Sequence, residues 1–180
     1  PLLFATKYPD RLRRQTTLTL GGGIGFINFL KVLQRVYSGW IDLPSGTLHT
    51  VELNNTGPDS LEFKDFRVQS LPVEHSPESI AYRITGRQDR SVVYSGDTDF
   101  SDNLVALARD TDLLICESAL PDEFKVNGHL TPSAAGEIAA QAGVKNLILT
   151  HFYPECDQVD IEKECRKTYT GPLHLAQDLM

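Results

Sequence analysis

Residues 128–154 read GHLTPSAAGEIAAQAGVKNLILTHFYP, and this stretch predicts a helix followed by a buried strand. Thr131 suits the N-cap, Pro132 takes the first helical position and Gly143 ends the helix. The apolar run NLILT (146–150) then predicts a strand, with His151 directly after it. A helix and a strand in succession, with a polar residue at the strand's end, indicate an α/β unit whose chemistry lies at the ends of its strands.

The same arrangement occurs at other points of the chain. The apolar strand in SVVYSGDTDF (91–100) ends at Asp97, His75 lies in LPVEHSPES (71–79), and His129 precedes the helix described above. A carboxylate just past a buried strand needs hydrogen bonds, a cation or a metal ion. Taken singly, each residue is more typical of a surface histidine or an ordinary Gly-Asp-Thr turn. Taken together, imidazoles and a carboxylate predict a site for Zn²⁺, Mn²⁺ or Fe.

The rest of the chain predicts a β-rich middle followed by alternating strands and helices. TTLTL (16–20) indicates a strand, and apolar residues from Phe26 onward recur at helical spacing. Further strands are predicted at 47–53, 61–73, 80–85, 91–95, 112–118 and 172–176, and further helices at 102–110 and 159–169. Without a repeat or linker, residues 1–180 are predicted to form one α/β domain with mixed sheets.

Composition limits the classes of function. The chain has 180 residues, of which 41% are hydrophobic and 23% charged, as in ordinary globular domains. Its net charge of −7 argues against a protein that coats nucleic acid with a broad basic surface. Three cysteines without a Cys-x-x-Cys spacing predict a reducing compartment, hence the cytoplasm. No apolar run is long enough for a membrane span.

Several of these stretches together resemble a known family. SVVYSGDT, DLLICESAL and residues 128–154 resemble the C-terminal half of the metallo-β-lactamase superfamily, in its ribonuclease Z-like branch. PVEHSPESIAYRI and the opening PLLFATKYPDRLRR are similar to further segments of that branch, the second to the segment that directly follows the family's first metal motif. The resemblance implies an αββα sandwich of the metallo-β-lactamase type.

The resemblance also implies residue roles. His75 would bind one metal ion, Asp97 would bridge two, and His151 would bind the second. His129 would not bind metal but would lie near the scissile phosphate as a proton donor or a stabiliser of the transition state, while Glu117 would have a supporting or purely structural role. The implied cofactor is a pair of divalent ions, Zn²⁺ with Mn²⁺ or Fe as alternatives, that activates a hydroxide.

Two departures from the family pattern affect this expectation. The family's first motif, His-x-His-x-Asp-His, is absent, so we expect the chain to lack the first strands and half of the ligands. Partial or no metal occupancy is therefore predicted for these 180 residues alone. In addition, residues 38–72 leave no room for the long arm with which ribonuclease Z enzymes grip tRNA, which weakens tRNA processing as the specific function.

The predicted function is that of a metal-dependent hydrolase, a phosphodiesterase acting on a small molecule or RNA. Hydrolysis of thioesters, lactones or other acyl substrates remains open, as does a non-catalytic binding module, and a homodimer is also left open. The glycine cluster GGGIG (21–25) could instead form a nucleotide-binding loop, but Asn28 stands where a third glycine is required. A permissive strand-to-helix turn explains these glycines better.

Overall fold

The computed structural model describes residues 2–7, 17–37 and 39–178. The chain divides into two compact units, Pro1–Leu53 and Asn54–Met180, and each is described by itself. The predicted strand at 16–20 and the opening segment that carries part of the family resemblance fall partly on residues 8–16, outside the described part.

The described residues of the first unit form two helices and two strands. Helix α1 spans Leu2–Lys7, strand β1 Leu18–Gly23, helix α2 Phe26–Tyr37 and strand β2 Leu48–Leu53. The two strands pair in parallel, with Leu18 opposite Leu48. The helix predicted from Phe26 is therefore present and connects two parallel strands, as such a connection requires.

The glycine cluster ends β1 with Gly21, Gly22 and Gly23, and Ile24 and Gly25 form the turn into α2. The backbone N–H groups of Gly25 and Ile27 donate to Oε1 of Glu52, at 2.8 and 2.9 Å. Gly22 also lies so close to the Phe26 ring that a Cβ atom would come within 2.7 Å of it. A carboxylate of the protein thus takes the position that a phosphate would occupy in a nucleotide-binding loop. These glycines have a structural role, and the nucleotide-binding alternative loses its support.

The second unit is built on a seven-stranded sheet. Its strands follow one another in chain order across the sheet: β3 (Asp59–Glu62), β4 (Phe66–Pro72), β5 (Ile80–Gly86), β6 (Ser91–Tyr94), β7 (Leu113–Glu117), β8 (Leu147–Thr150) and β9 (Leu173–Leu175). Strands β3 to β6 are antiparallel, and β6 to β9 are parallel. This is the mixed sheet that the β-rich middle and the later alternation predict.

Helices connect the parallel strands and cover their apolar side chains. Helix α3 spans Asp102–Ala108, α4 Pro132–Ala142 and α5 Ile161–Cys165. The core includes the fully buried side chains of Val93, Leu104, Leu114, Ile138 and Leu147. At about 25 cal/mol per Å² of apolar surface, this burial is the main stabilising contribution to the unit.

The cap residues of α4 are the predicted ones. Thr131 accepts a hydrogen bond from the Ala134 N–H at 3.4 Å, Pro132 opens the helix, and Gly143 ends it at φ +66°. Thr131 and Pro132 thus determine where this helix begins, and His129 lies two residues before its N-cap.

Two predicted elements differ from the observed ones. The stretch 61–73 forms two strands rather than one, because the Phe63 N–H donates to the Phe66 carbonyl at 2.9 Å and closes a hairpin. The helix predicted at 159–169 is shorter. Residues Pro154–Gln158 form a 3₁₀ helix, and Tyr169 is anchored in the core by a hydrogen bond from its hydroxyl to the Val144 carbonyl at 3.1 Å.

The described part of the chain contains no helix with the length and apolar character that crossing a membrane requires. All three cysteines are free and buried, and burial raises the pKa of the Cys116 thiol.

Candidate metal centre

The four residues singled out by the sequence lie at one edge of the seven-stranded sheet. Strands β6 and β8 run in the same direction, so Asp97 and His151, which follow them, emerge at the same edge. Strand β4 also runs this way, because two antiparallel steps separate it from β6, and His75 follows it. The carboxyl ends of strands are where α/β sheets place their ligand sites.

The side chains of these residues approach one another. One ligand atom from each of His75, Asp97 and His129 lies within 4.8 Å of the others, as in a group that could hold a metal ion. His151 is adjacent, with Nε2 at 3.7 Å from Oδ1 of Asp97 and its ring centroid at 5.5 Å from that of His129. The structure thus brings all four predicted residues together, while their individual roles stay predictions.

Three residues at or next to the site have a positive backbone φ angle. His151 has φ +66°, in the left-handed region that non-glycine residues seldom occupy. Gly96, next to Asp97, and Gly128, next to His129, have φ of +62° and +88°. Such strain in a non-glycine residue costs about 1–3 kcal/mol and is concentrated at functional sites.

His75 is oriented by a backbone carbonyl. Its Nδ1 lies 2.8 Å from the Gly128 oxygen, which can only accept a hydrogen bond, so Nδ1 carries the proton. In the neutral ring Nε2 is then the free acceptor, available to a metal ion. Histidine ligands of metals commonly make this contact through their other ring nitrogen.

His129 is oriented by Glu117, at the end of β7. Its Nδ1 lies 2.9 Å from Oε1 of Glu117, a side chain that is only 2% exposed. Glu117 also accepts three backbone N–H bonds, from Thr98 at 2.8 Å and from Ala119 and Leu130 at 3.1 Å. All four bonds are received, as expected of an ionised carboxylate.

Several residues of the site were not identified from the sequence. Tyr153 packs against His151 and His129, with ring centroids at 5.4 and 6.1 Å, and is 41% exposed. Asp99 and Lys125 form an ion pair at 2.8 Å beside the loop that ends at Gly128. Burial alone would raise the pKa of Asp99, but hydrogen bonds from Lys125, Phe100 and Gly128 outweigh it and lower that pKa. The sequence could have indicated Asp99, because it is the second carboxylate of the Asp-Thr-Asp run that begins with Asp97.

Comparison with known protein families identifies the superfamily of this chain. The model of the beta-lactamase superfamily domain matches residues 27–152, well over half of the chain, including all four predicted residues. The chain belongs to this superfamily. It is also 41% identical over 104 residues to an uncharacterized protein of Mycobacterium tuberculosis, a match that covers 57% of this chain and 38% of that protein. A ribonuclease Z of Gemmatimonas aurantiaca is 41% identical over 98 residues, 51% of this chain and 31% of the enzyme.

A solved structure confirms the fold class of this superfamily member. The metallo-β-lactamase fold protein YhfI of Bacillus subtilis matches 89% of this chain and 63% of its own, with a TM-score of 0.71 and 25% identity. The predicted metallo-β-lactamase-type mixed α/β fold and the ribonuclease Z-like resemblance are therefore confirmed. The chain matches well under half the length of the curated relatives named above.

Proposed function

We propose that this superfamily domain is part of a divalent-metal-dependent phosphodiesterase. The observation that carries the proposal is the placement of His129. It is held by a buried carboxylate and lies beside the candidate ligands His75 and Asp97. A ligand set next to a separately oriented imidazole is the arrangement that hydrolysis needs, because one group binds the electrophile and the other handles a proton.

The side chains present fit divalent metal ions. Imidazole nitrogens and a carboxylate oxygen are common ligands of Zn²⁺, and also suit Mn²⁺ and Fe. We assign His75, Asp97 and His151 as the residues that would hold the metal ions. Divalent ions at these ligands would lower the pKa of a bound water and offset the charge that develops on the phosphate.

His129 is assigned as the proton donor to the departing oxygen. Its Nδ1–H is engaged with Glu117, so the proton for the leaving group comes from Nε2. The Glu117 carboxylate, 2.9 Å from Nδ1, fixes the orientation of the ring and leaves Nε2 free to face the substrate. Proton transfer of this kind contributes about 10²–10⁴-fold to rate.

The similarity to a ribonuclease Z supports phosphodiester over acyl substrates, whether the substrate is RNA or a smaller phosphodiester. The three free, buried cysteines support the cytoplasm as the working compartment, because structural thiols persist in reducing environments. Homodimer formation is part of the proposal and is tested by light scattering on the full-length protein.

The direct test is hydrolysis of bis(p-nitrophenyl) phosphate by the full-length protein with Zn²⁺ or Mn²⁺. We expect D97A to abolish hydrolysis, whereas D65A should retain it, because Asp65 pairs with Arg87 in the turn before β4, at the opposite edge of the sheet. Full activity of D97A contradicts the site assignment. Hydrolysis of thioesters or lactones in preference to phosphodiesters moves the function to acyl substrates, and absence of both metal binding and turnover favours the non-catalytic module.

A further inference from the structure

Asp99 connects three segments that border the candidate metal centre. It lies two residues beyond Asp97, and its Oδ2 accepts hydrogen bonds from the Gly128 N–H at 3.0 Å and the Lys125 ammonium at 2.8 Å. Its Oδ1 accepts from the Phe100 N–H at 2.7 Å. Its own N–H donates to the Glu74 carbonyl at 2.7 Å. One residue is thus bonded to the segment after β4, to the segment after β6 and to the loop before α4.

These bonds lead directly to His75. Glu74 precedes His75 in the chain, and the Gly128 carbonyl accepts the bond from His75 Nδ1. Gly128 fits closely there, since a Cβ atom at this position would come within 3.2 Å of that same Nδ1. The Asp99 carboxylate accepts a hydrogen bond from the Gly128 N–H, and the Gly128 carbonyl accepts one from His75 Nδ1. A shift of the loop that contains Gly128 would therefore turn the imidazole of His75.

We propose that Asp99, with Lys125 as its counter-charge, is the residue that positions His75 for metal binding through Gly128. The inference rests on the proposed metal site and adds a positioning residue to it. The partners of a histidine ligand's second nitrogen typically change metal affinity by about 10–100-fold when they are removed. Here the direct partner of His75 is the backbone carbonyl of Gly128, which no side-chain substitution removes. The substitution that can be tested is therefore that of Asp99, whose side chain fixes the position of Gly128.

A purely structural role predicts a different outcome. If the Asp99–Lys125 pair had only a structural role, its loss should leave metal binding unchanged, because partly exposed ion pairs contribute little to folding stability. Asp112 provides a matched control. It also accepts one backbone N–H, from Ser91, and one lysine ammonium, from Lys145, each at 2.8 Å. Its position before β7 is at the opposite edge of the sheet from the site.

The test compares D99N and D112N in the full-length protein. Asparagine at 99 offers one acceptor oxygen, which cannot serve Lys125, Gly128 and Phe100 together. We expect D99N to bind Zn²⁺ about 10–100-fold more weakly in chelator competition and to change the visible absorption of bound Co²⁺, which reports ligand geometry. D112N should match wild type in both, and K125M should shift the affinity in the same direction as D99N.

The outcomes separate this inference from the proposed function. Wild-type affinity and an unchanged Co²⁺ spectrum in D99N overturn the role of Asp99, provided that D97A lowers metal binding as the proposed site requires. If wild type and D97A bind the metal equally, the site itself is wrong and the inference falls with it. Should D99N fail to fold, K125M decides, since wild-type affinity in K125M then overturns the inference.

Discussion

Nδ1 of His129 lies 2.9 Å from Oε1 of Glu117, and this carboxylate receives four hydrogen bonds while remaining almost completely buried. The contact joins the end of β7 to the loop before α4. It fixes which nitrogen of the imidazole faces the neighbouring histidines.

Substitution E117Q should lower both stability and activity. The amide group of glutamine would face backbone N–H donors, such as those of Ala119 and Leu130, and leave them without an acceptor. Each buried donor left unsatisfied costs about 1–3 kcal/mol. Urea unfolding and turnover of bis(p-nitrophenyl) phosphate measure the two effects. E137Q, on the exposed face of α4, should change neither, and a neutral E117Q would contradict the importance of this contact.

Substitution H129A should separate proton transfer from metal binding. Geometry alone allows His129 to act as a ligand, since it is grouped with His75 and Asp97. If it is the proton donor, H129A retains the metal content of wild type and loses about 10²–10⁴-fold in turnover. Metal analysis of H129A beside H75A decides between the roles. Equal metal loss in both variants would make His129 a ligand.

Two substitutions at His151 should separate backbone strain from chemistry. The residue has φ +66°, a conformation that asparagine tolerates well and glutamine does not. Both H151N and H151Q remove the imidazole and should abolish activity. H151Q should be less stable than H151N by about 1 kcal/mol, the penalty of a left-handed conformation. Equal unfolding midpoints would show that the strain at this position is unimportant.

Substitution G128A should impair metal binding beyond its effect on stability. Alanine at φ +88° is strained, and its Cβ would press on His75 Nδ1. G46A is the control, because Gly46 has φ +80° but nothing within 4 Å of the added atom. Both variants should lose about 1–2 kcal/mol of stability. Only G128A should bind Zn²⁺ more weakly in chelator competition, and similar affinities in the two variants would refute the role of this close contact.

The sequence predicted three of the four site residues because each follows an apolar run whose end is visible, whereas His129 was identified from the segment that precedes α4. His75, Asp97 and His151 could be placed at strand ends from hydropathy, and the shared direction of β4, β6 and β8 brings those ends together. The α4 boundaries were also predictable, since Thr131 and Gly143 are strong local signals.

Contacts between loops were not predictable in this way. Asp99 and Lys125 lie 26 residues apart, and no periodicity indicates that their loops meet. The hairpin at Phe63–Phe66 was missed because its turn, Lys64-Asp65, contains no glycine or proline; the break in the alternation at these two polar residues was the signal available. The left-handed conformation of His151 is imposed by the surrounding structure, as histidine itself has no requirement for it.

The ion pair between Asp122 and Lys167 should make stability depend on pH at the start of α4. Asp122 accepts bonds from the Ser133 N–H and hydroxyl at 3.2 and 2.7 Å and from Lys167 at 2.7 Å. Burial alone would raise the pKa of Asp122, but the bonds from Lys167, Ser133 and Thr131 outweigh it and lower the pKa below its ordinary value.

A lowered pKa means that the folded state favours the ionised carboxylate, so the stabilisation is present above the ordinary value of about 3.9 and is lost as the pH falls through the folded value. The urea midpoint of wild type should therefore exceed that of D122N at neutral pH, and the difference should shrink as the pH falls below about 4. The comparison cancels the titration of other carboxylates, because both proteins contain them. K167M should reduce the same difference at neutral pH, and a gap between wild type and D122N that does not change with pH would rule out the ionised Asp122 as its source.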